Sequence, residues 1–136
     1  MPQEPSTNLT GRIIGCAMTV HRILGSGFNE SVYHNALCLE LTDAGISYSS
    51  RKKLQVLYKQ RPVGEFEADL VVEDCLNLEL KAVQNLLPVH EAQIVNYLTS
   101  TGIDHGLLFN FGGESLQFKK KFRTFRPKTD PQNFQL

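Results

Sequence analysis

Two short segments near the middle of the chain constrain its fold most strongly. Residues 65–72 read EFEADLVV and residues 76–83 read LNLELKAV, and both alternate apolar with polar side chains. This alternation is typical of β-strands, whose successive side chains point to opposite faces of a sheet. If Glu73, Asp74 and Cys75 form the turn, the two segments pair as an antiparallel hairpin. The chain is therefore expected to carry charged residues on one face of its central strands.

The predicted register of this hairpin brings charged side chains into direct opposition. Asp69 is expected opposite Glu79, and Glu67 opposite Lys81. Opposed side chains have Cβ atoms roughly 4.5–5.5 Å apart, so two carboxylates repel each other there unless a cation lies between them. A hard divalent cation such as Mg²⁺ favours carboxylate oxygens, and Lys81 would stand beside it on the same face.

Two alternatives to a metal site remain open from this alternation. The polar face could simply be exposed to solvent, with Glu67 and Lys81 forming an ordinary cross-strand pair. A turn that is one residue longer or shorter would place Asp69 and Glu79 on opposite faces of the sheet.

The rest of the chain predicts helices and strands around this hairpin. Helices are predicted over residues 9–24, 28–44 and 89–100. Further strands are predicted over residues 46–59, 105–111 and 115–122, with a turn at residues 61–64. The resulting order, α-α-β-β-β-α-β-β, favours an α/β domain with a mixed sheet, because it combines a meander with a helical crossover.

Length and composition favour one ordinary soluble domain. The chain has 136 residues, of which 41% are hydrophobic and 21% charged. We expect a flexible N-terminus over residues 1–8, one domain over residues 9–123 and a C-terminal tail over residues 124–136. No apolar run is long enough for a membrane span, and the N-terminus lacks the apolar stretch of a signal peptide.

The cysteines indicate a reducing compartment. Cys16, Cys38 and Cys75 are scattered and have no CxxC spacing, which favours free thiols over a disulfide framework or a zinc site. We therefore expect a cytoplasmic protein.

Charge is balanced overall but concentrated locally. The chain has 14 basic and 14 acidic residues, whereas residues 119–128, KKKFRTFRPK, contain no acid. A second basic cluster comprises Arg51, Lys52 and Lys53. This distribution is compatible with a phosphate-binding rim around an acidic centre, and the alternative for the C-terminal segment is a solvated tail. The candidate substrate-binding residues of that segment are Lys119, Lys120, Lys121 and Arg123.

Several motifs resemble a known family. Asp69 followed after nine residues by Glu79-Leu80-Lys81 resembles the D…ExK core of the PD-(D/E)XK nuclease superfamily. Residues 27–33, GFNESVY, resemble the signature of the GxxExxY proteins, a branch of that superfamily. The blocks VHRILGSGFNESVYHNAL, ADLVV, LELKAV, VHEAQIVNYL and TGIDHGLLFNFG follow in the order of that branch, over roughly residues 12–123. Ala68 replaces the proline of the PD motif, which shapes the strand and binds no metal.

This resemblance implies a fold and a chemistry. It implies a restriction-endonuclease-like αβββαβ core, here with an extra N-terminal helix and a C-terminal edge strand. It also implies metal-dependent hydrolysis of phosphodiester bonds in DNA, with Mg²⁺ or Mn²⁺ as cofactor. The implied metal ligands are Asp69, Glu79 and the backbone carbonyl of Leu80, and Lys81 is the implied catalytic lysine.

The resemblance assigns supporting roles to helical residues. Glu30 matches a helix glutamate aimed at the metal centre, and Gln93 matches the glutamine of the helix after ExK. Both are candidate catalytic residues that would tune the metal and the attacking water, and Gln93 could also contact a phosphate. Tyr97, one turn beyond Gln93, is a candidate substrate contact or a packed side chain with its hydroxyl satisfied.

Three hypotheses of function follow. The first is a nuclease that acts on DNA, with a homodimer expected because cutting both strands takes two sites. The second is a non-catalytic nucleic-acid-binding or assembly module that retains the fold. The third is a plain structural domain.

Overall fold

The helices and strands occur in the predicted order. The structure, a computed structural model, describes residues 7–124. The helices are α1 (Thr7–Leu24), α2 (Glu30–Asp43) and α3 (Pro88–Thr101). The strands are β1 (Tyr48–Tyr58), β2 (Arg61–Val72), β3 (Leu76–Lys81), β4 (His105–Asn110) and β5 (Gln117–Phe122). None of the helices in this part of the chain is long and apolar enough to cross a membrane.

The predicted chain ends fall largely outside this description. Residues 1–6 of the expected flexible N-terminus and residues 125–136 of the expected tail lie outside the described residues. Helix α1 begins at Thr7, two residues before the predicted start.

The five strands form one mixed sheet in the order β1-β2-β3-β4-β5. Strands β3 and β4 are parallel and are joined by the α3 crossover, whereas the other neighbouring pairs are antiparallel. The predicted mixed sheet and the predicted edge strand at the C-terminal side are therefore confirmed.

Helices cover both faces of this sheet. On one face, α1 and α2 bury residues such as Ile13 and Leu37 against Leu78 and Phe109. On the other face, Ile94 and Leu98 of α3 pack against Leu108 of β4. The central strands are thus buried on both sides, and polar side chains on them must find partners within the protein.

The hairpin of β2 and β3 has the predicted turn and register. Val72 lies opposite Leu76, and Leu70 lies opposite Leu78. Glu73 and Asp74 turn the chain with φ values of 49° and 55°. The last paired residues, counted away from the turn, are Leu70 and Leu78. The two strands therefore separate at the next position, where Asp69 and Glu79 lie.

The hairpin of β1 and β2 turns earlier than predicted. Lys59 and Gln60 have φ values of 49° and 64°, and Tyr58 pairs with Arg61. Two consecutive residues with positive φ suit a two-residue hairpin, because their twist matches that of the strands. The predicted turn at residues 61–64 is therefore wrong, and Pro62 lies within β2.

Candidate active site

The carboxyl groups of Asp69 and Glu79 meet where β2 and β3 separate. A hydrogen bond joins the two carboxyl groups. The backbone N–H of Leu80 donates to Asp69 Oδ2 over 2.7 Å. The β2–β3 ladder has already ended at this point, whereas β2 still pairs with β1 through Ala68. The amide of Leu80 therefore bonds the side chain of Asp69 and not a backbone carbonyl of β2. The end of the ladder thus fixes one carboxylate beside the other.

Burial sets the protonation of this pair. Glu79 is 6% exposed, and Asn77 Nδ2 donates to its Oε1 over 3.3 Å. Burial raises the pKa of Glu79 to about 9, and the neighbouring charge and hydrogen bond of Asp69 act in the same direction. Near neutral pH and without a metal ion, Glu79 therefore holds a proton next to Asp69.

The oxygen donors at this point fit a magnesium or manganese ion. No group of three or more His, Cys, Asp or Glu side chains in residues 7–124 is arranged to hold a metal. Mg²⁺ nevertheless binds commonly through one or two carboxylates, with water and substrate phosphates completing its shell. Asp69 and Glu79 supply that number. The carbonyl of Leu80 lies on the same edge of β3 as its amide, by the geometry of an extended strand.

Helix α3 holds Lys81. Lys81 Nζ donates to Gln93 Oε1 over 3.1 Å, and Gln93 also hydrogen-bonds the Tyr97 side chain. The Tyr97 ring stacks on Phe66 of β2, with ring centroids 4.0 Å apart. The expected pairing of Lys81 with Glu67 is wrong, because the β2–β3 ladder ends before these residues.

Glu30 approaches the pair from the start of α2. Burial and the charge of Asp69 raise the pKa of Glu30, whereas Lys81 and His34 act in the opposite direction. Each of these charges acts strongly only at short range, so Glu30 belongs to the same cluster.

The loop before α2 explains the spacing of the GFNESVY motif. Gly27 has a φ of 110°, a backbone angle that residues with a Cβ atom rarely adopt. The buried Tyr33 donates its hydroxyl to the carbonyl of Gly25 over 2.6 Å and accepts the N–H of Phe28. Its ring stacks on Phe111 with centroids 4.8 Å apart. Gly27 and Tyr33 thereby fix the loop that delivers Glu30 to the site.

An open cleft gives access to Asp69. Its volume is ≈ 280 Å³. It is lined by Glu30, Ser31, His34, Arg51, Glu67 and Asp69. Three elements, α2, β1 and β2, contribute these residues.

His34 is a site residue that the sequence analysis missed. Its Nε2 lies 3.0 Å from the carbonyl oxygen of Asp69 and 3.2 Å from Ser50 Oγ. It is buried and therefore anchors the backbone at Asp69 to α2. The available signal was helical spacing, because His34 follows Glu30 by four residues on the same face.

The basic residues of β5 do not reach the cleft. Lys119 and Lys121 both form ion pairs with Glu91 of α3, at 3.1 and 2.5 Å. Lys120 points to the other face of β5, since successive strand residues alternate. Strand β4 separates all three from β3.

Arg123 is also placed away from the carboxylates. Its Nε pairs with Asp104 over 2.9 Å. The structure thus brings together Asp69, Glu79, Leu80, Lys81, Glu30, Gln93 and Tyr97, but leaves the predicted C-terminal basic contacts apart.

Comparison with known proteins agrees with this fold. No curated protein matches the chain significantly. The solved structure described as "Crystal structure of SSO0001" is similar, with a TM-score of 0.58 and 14% identity, over 76% of this chain and 54% of that one. The chain spans about half the length of that protein, and similarity at this identity supports the fold alone. The family model described as the PD-(D/E)XK nuclease superfamily matches residues 7–124, and the chain therefore belongs to that superfamily.

Proposed function

We propose that the protein is a metal-dependent nuclease that hydrolyses phosphodiester bonds in DNA. The main support is the contact between the carboxyl groups of Asp69 and Glu79 beside the ammonium group of Lys81. Nucleases of this superfamily generally use divalent metal ions and act on nucleic acids. The GxxExxY branch remains part of this proposal, supported by the loop geometry around Gly27 and Tyr33.

Asp69, Glu79 and the carbonyl of Leu80 are the proposed metal ligands. Bound there, Mg²⁺ or Mn²⁺ would stabilise negative charge at the phosphate and would help to activate a water molecule for attack. The Leu80 amide holds Asp69 in place, so little reorganisation of this ligand is needed.

Lys81 and Glu30 are the proposed catalytic groups. Lys81 donates to a non-bridging phosphate oxygen and stabilises the negative charge that develops during attack, while Gln93 orients its ammonium group. Glu30, whose pKa is raised by burial, accepts a proton from water in the cleft. Gln93 and Tyr97 lie on the other side of Lys81, where Tyr97 can contact the nucleic acid. Lys119, Lys120, Lys121 and Arg123 remain proposed contacts to more distant backbone phosphates.

The setting of this activity is also part of the proposal. Cys16, Cys38 and Cys75 are free thiols, which supports a reducing compartment, and we place the protein in the cytoplasm. Cleavage of both strands of a duplex requires two sites, so we expect a homodimer. Sedimentation of the purified protein tests this expectation.

Cleavage assays test the proposed activity. Wild-type protein should cleave plasmid, branched or single-stranded DNA with Mg²⁺ or Mn²⁺, and lose this activity in EDTA. Glu79→Ala and Lys81→Ala should abolish cleavage, whereas Glu114→Ala, a change at an exposed acid, should not. Calorimetry should show Mg²⁺ binding to wild type and none to Asp69→Asn. Nucleic acid binding without cleavage of any of these substrates would instead support a non-catalytic module.

A further inference from the structure

Arg51 occupies an unusual backbone position in β1. Ser50 pairs with Leu70 and Lys52 pairs with Ala68, so Arg51 lies at the position opposite Asp69. It does not join the ladder, and its φ is 54°. Left-handed backbone is unfavourable for an arginine, and strained residues of this kind concentrate at functional sites.

This conformation puts the Arg51 side chain in the cleft next to Asp69. The Arg51 guanidinium lies 3.5 Å from His34 Nδ1, at the outer limit of a hydrogen bond. Glu30, Glu67 and Asp69 line the same cleft. Even so, Arg51 forms no ion pair among residues 7–124. Most of its five N–H donors are therefore available to a ligand.

The charge of the cleft determines which ligand those donors suit. Carboxyl groups dominate its lining, and they repel the phosphates of a nucleic acid. Lys81 offers one cation from the α3 side of Asp69, and Arg51 offers another from the α2 side. A guanidinium binds two oxygens of one phosphate in a planar fork, which a lysine cannot do.

We propose that Arg51 binds a backbone phosphate of the nucleic acid next to the scissile phosphate. This inference rests on the proposed nuclease function and adds to it a substrate-positioning residue outside the D…ExK motif. Arg51 and Lys81 then contact the nucleic acid strand from both sides of Asp69. The left-handed backbone at Arg51 directs its side chain to the cleft.

Two variants of Arg51 test this role. Arg51→Gly removes the side chain and relieves the backbone strain, because glycine adopts positive φ readily. We expect this variant to melt at or above the wild-type temperature, yet to raise the Kd for a fluorescein-labelled DNA duplex or single strand about tenfold. The slope of log Kd against log salt should fall by about one, which reports one lost phosphate contact. Arg51→Lys should keep most of that slope but still weaken binding.

The control is Arg22→Ala, which removes an exposed arginine of α1 that does not line the cleft. It should leave both Kd and slope at wild-type values. If Arg51→Gly lowers the melting temperature and leaves the salt slope unchanged, Arg51 has a structural role and the proposal is overturned. If the wild-type protein itself neither binds nor cleaves DNA, the proposed function fails first, and the role of Arg51 fails with it.

Discussion

Glu79 makes the metal-free protein sensitive to pH. An unfolded glutamate has a pKa near 4.5, whereas that of Glu79 in the folded protein is raised to about 9, mainly by burial. Between these values the folded state holds a proton that the unfolded state has released. The free energy of unfolding of the metal-free protein should therefore fall as pH rises through this window.

Glu79→Gln should remove this dependence. In EDTA at about pH 8 the variant should be more stable than wild type, and at about pH 4 the two should be similar. Urea denaturation at both pH values measures the difference. Saturating Mg²⁺ should stabilise wild type at about pH 8 and leave Glu79→Gln unchanged. A wild-type stability that does not fall with pH would contradict the burial of a protonated Glu79.

Gln93 should act through Lys81. Gln93→Ala removes the acceptor that orients the Lys81 ammonium group, and we expect kcat to fall about tenfold while KM changes little. The residue is exposed, so its loss should leave the melting temperature almost unchanged. Steady-state cleavage kinetics measure this, with Asn96→Ala on the exposed surface of the same helix as the control. An equal loss in both variants would remove the positioning role.

Sequence patterns predicted the site residues unevenly. The meeting of Asp69 and Glu79 followed from strand periodicity and the length of one turn, both of which are local. Arg51 and His34 reach the cleft through a left-handed residue inside a strand and a contact between α2 and β2. Neither event leaves a periodic signal. The pairing of Lys119 and Lys121 with Glu91 likewise depends on how α3 packs beside β5.

Among the elements, the loop between α1 and α2 depends most on one side chain. Tyr33→Phe leaves the carbonyl of Gly25 and the N–H of Phe28 without their hydroxyl partner. We expect a loss of about 1–2 kcal/mol in the free energy of unfolding. Tyr48→Phe removes only an exposed hydrogen bond to Thr42 and should cost less than about 0.5 kcal/mol.

Urea denaturation of both tyrosine variants gives the comparison. The Tyr33 variant should also cleave DNA more slowly, because the same loop places Glu30. Equal stability losses in the two variants would show that the loop does not depend on the Tyr33 hydroxyl.

The elements themselves were predicted best where periodicity was strong. The β2–β3 register is as predicted, because both strands alternate regularly up to the turn. The turn between β1 and β2 was predicted too late in the chain because proline is a typical turn residue and Pro62 lies in residues 61–64. Lys59 and Gln60 form the turn, although neither residue type is typical of left-handed backbone.

At the scale of the whole molecule, the order of elements determined the architecture. A meander followed by a helical crossover leaves few arrangements of a five-stranded sheet. The separation of β2 from β3 was not predictable in the same way. Strand β2 stays paired with β1 on both sides of Asp69, whereas its pairing with β3 ends at Leu70 and Leu78. Tertiary packing, and not a local sequence pattern, determines where that pairing ends.

The outer strands carry a further consequence for assembly. Strand β5 has three consecutive lysines, and antiparallel addition of a second β5 would set like charges against each other. Strand β1 is interrupted at Arg51 and shifts register between Val56 and Leu57. Neither rim of the sheet offers a flat, uncharged template to another chain. The protein should therefore resist growth into cross-β aggregates, although β4, between these rims, contains the buried apolar run Leu107-Leu108-Phe109.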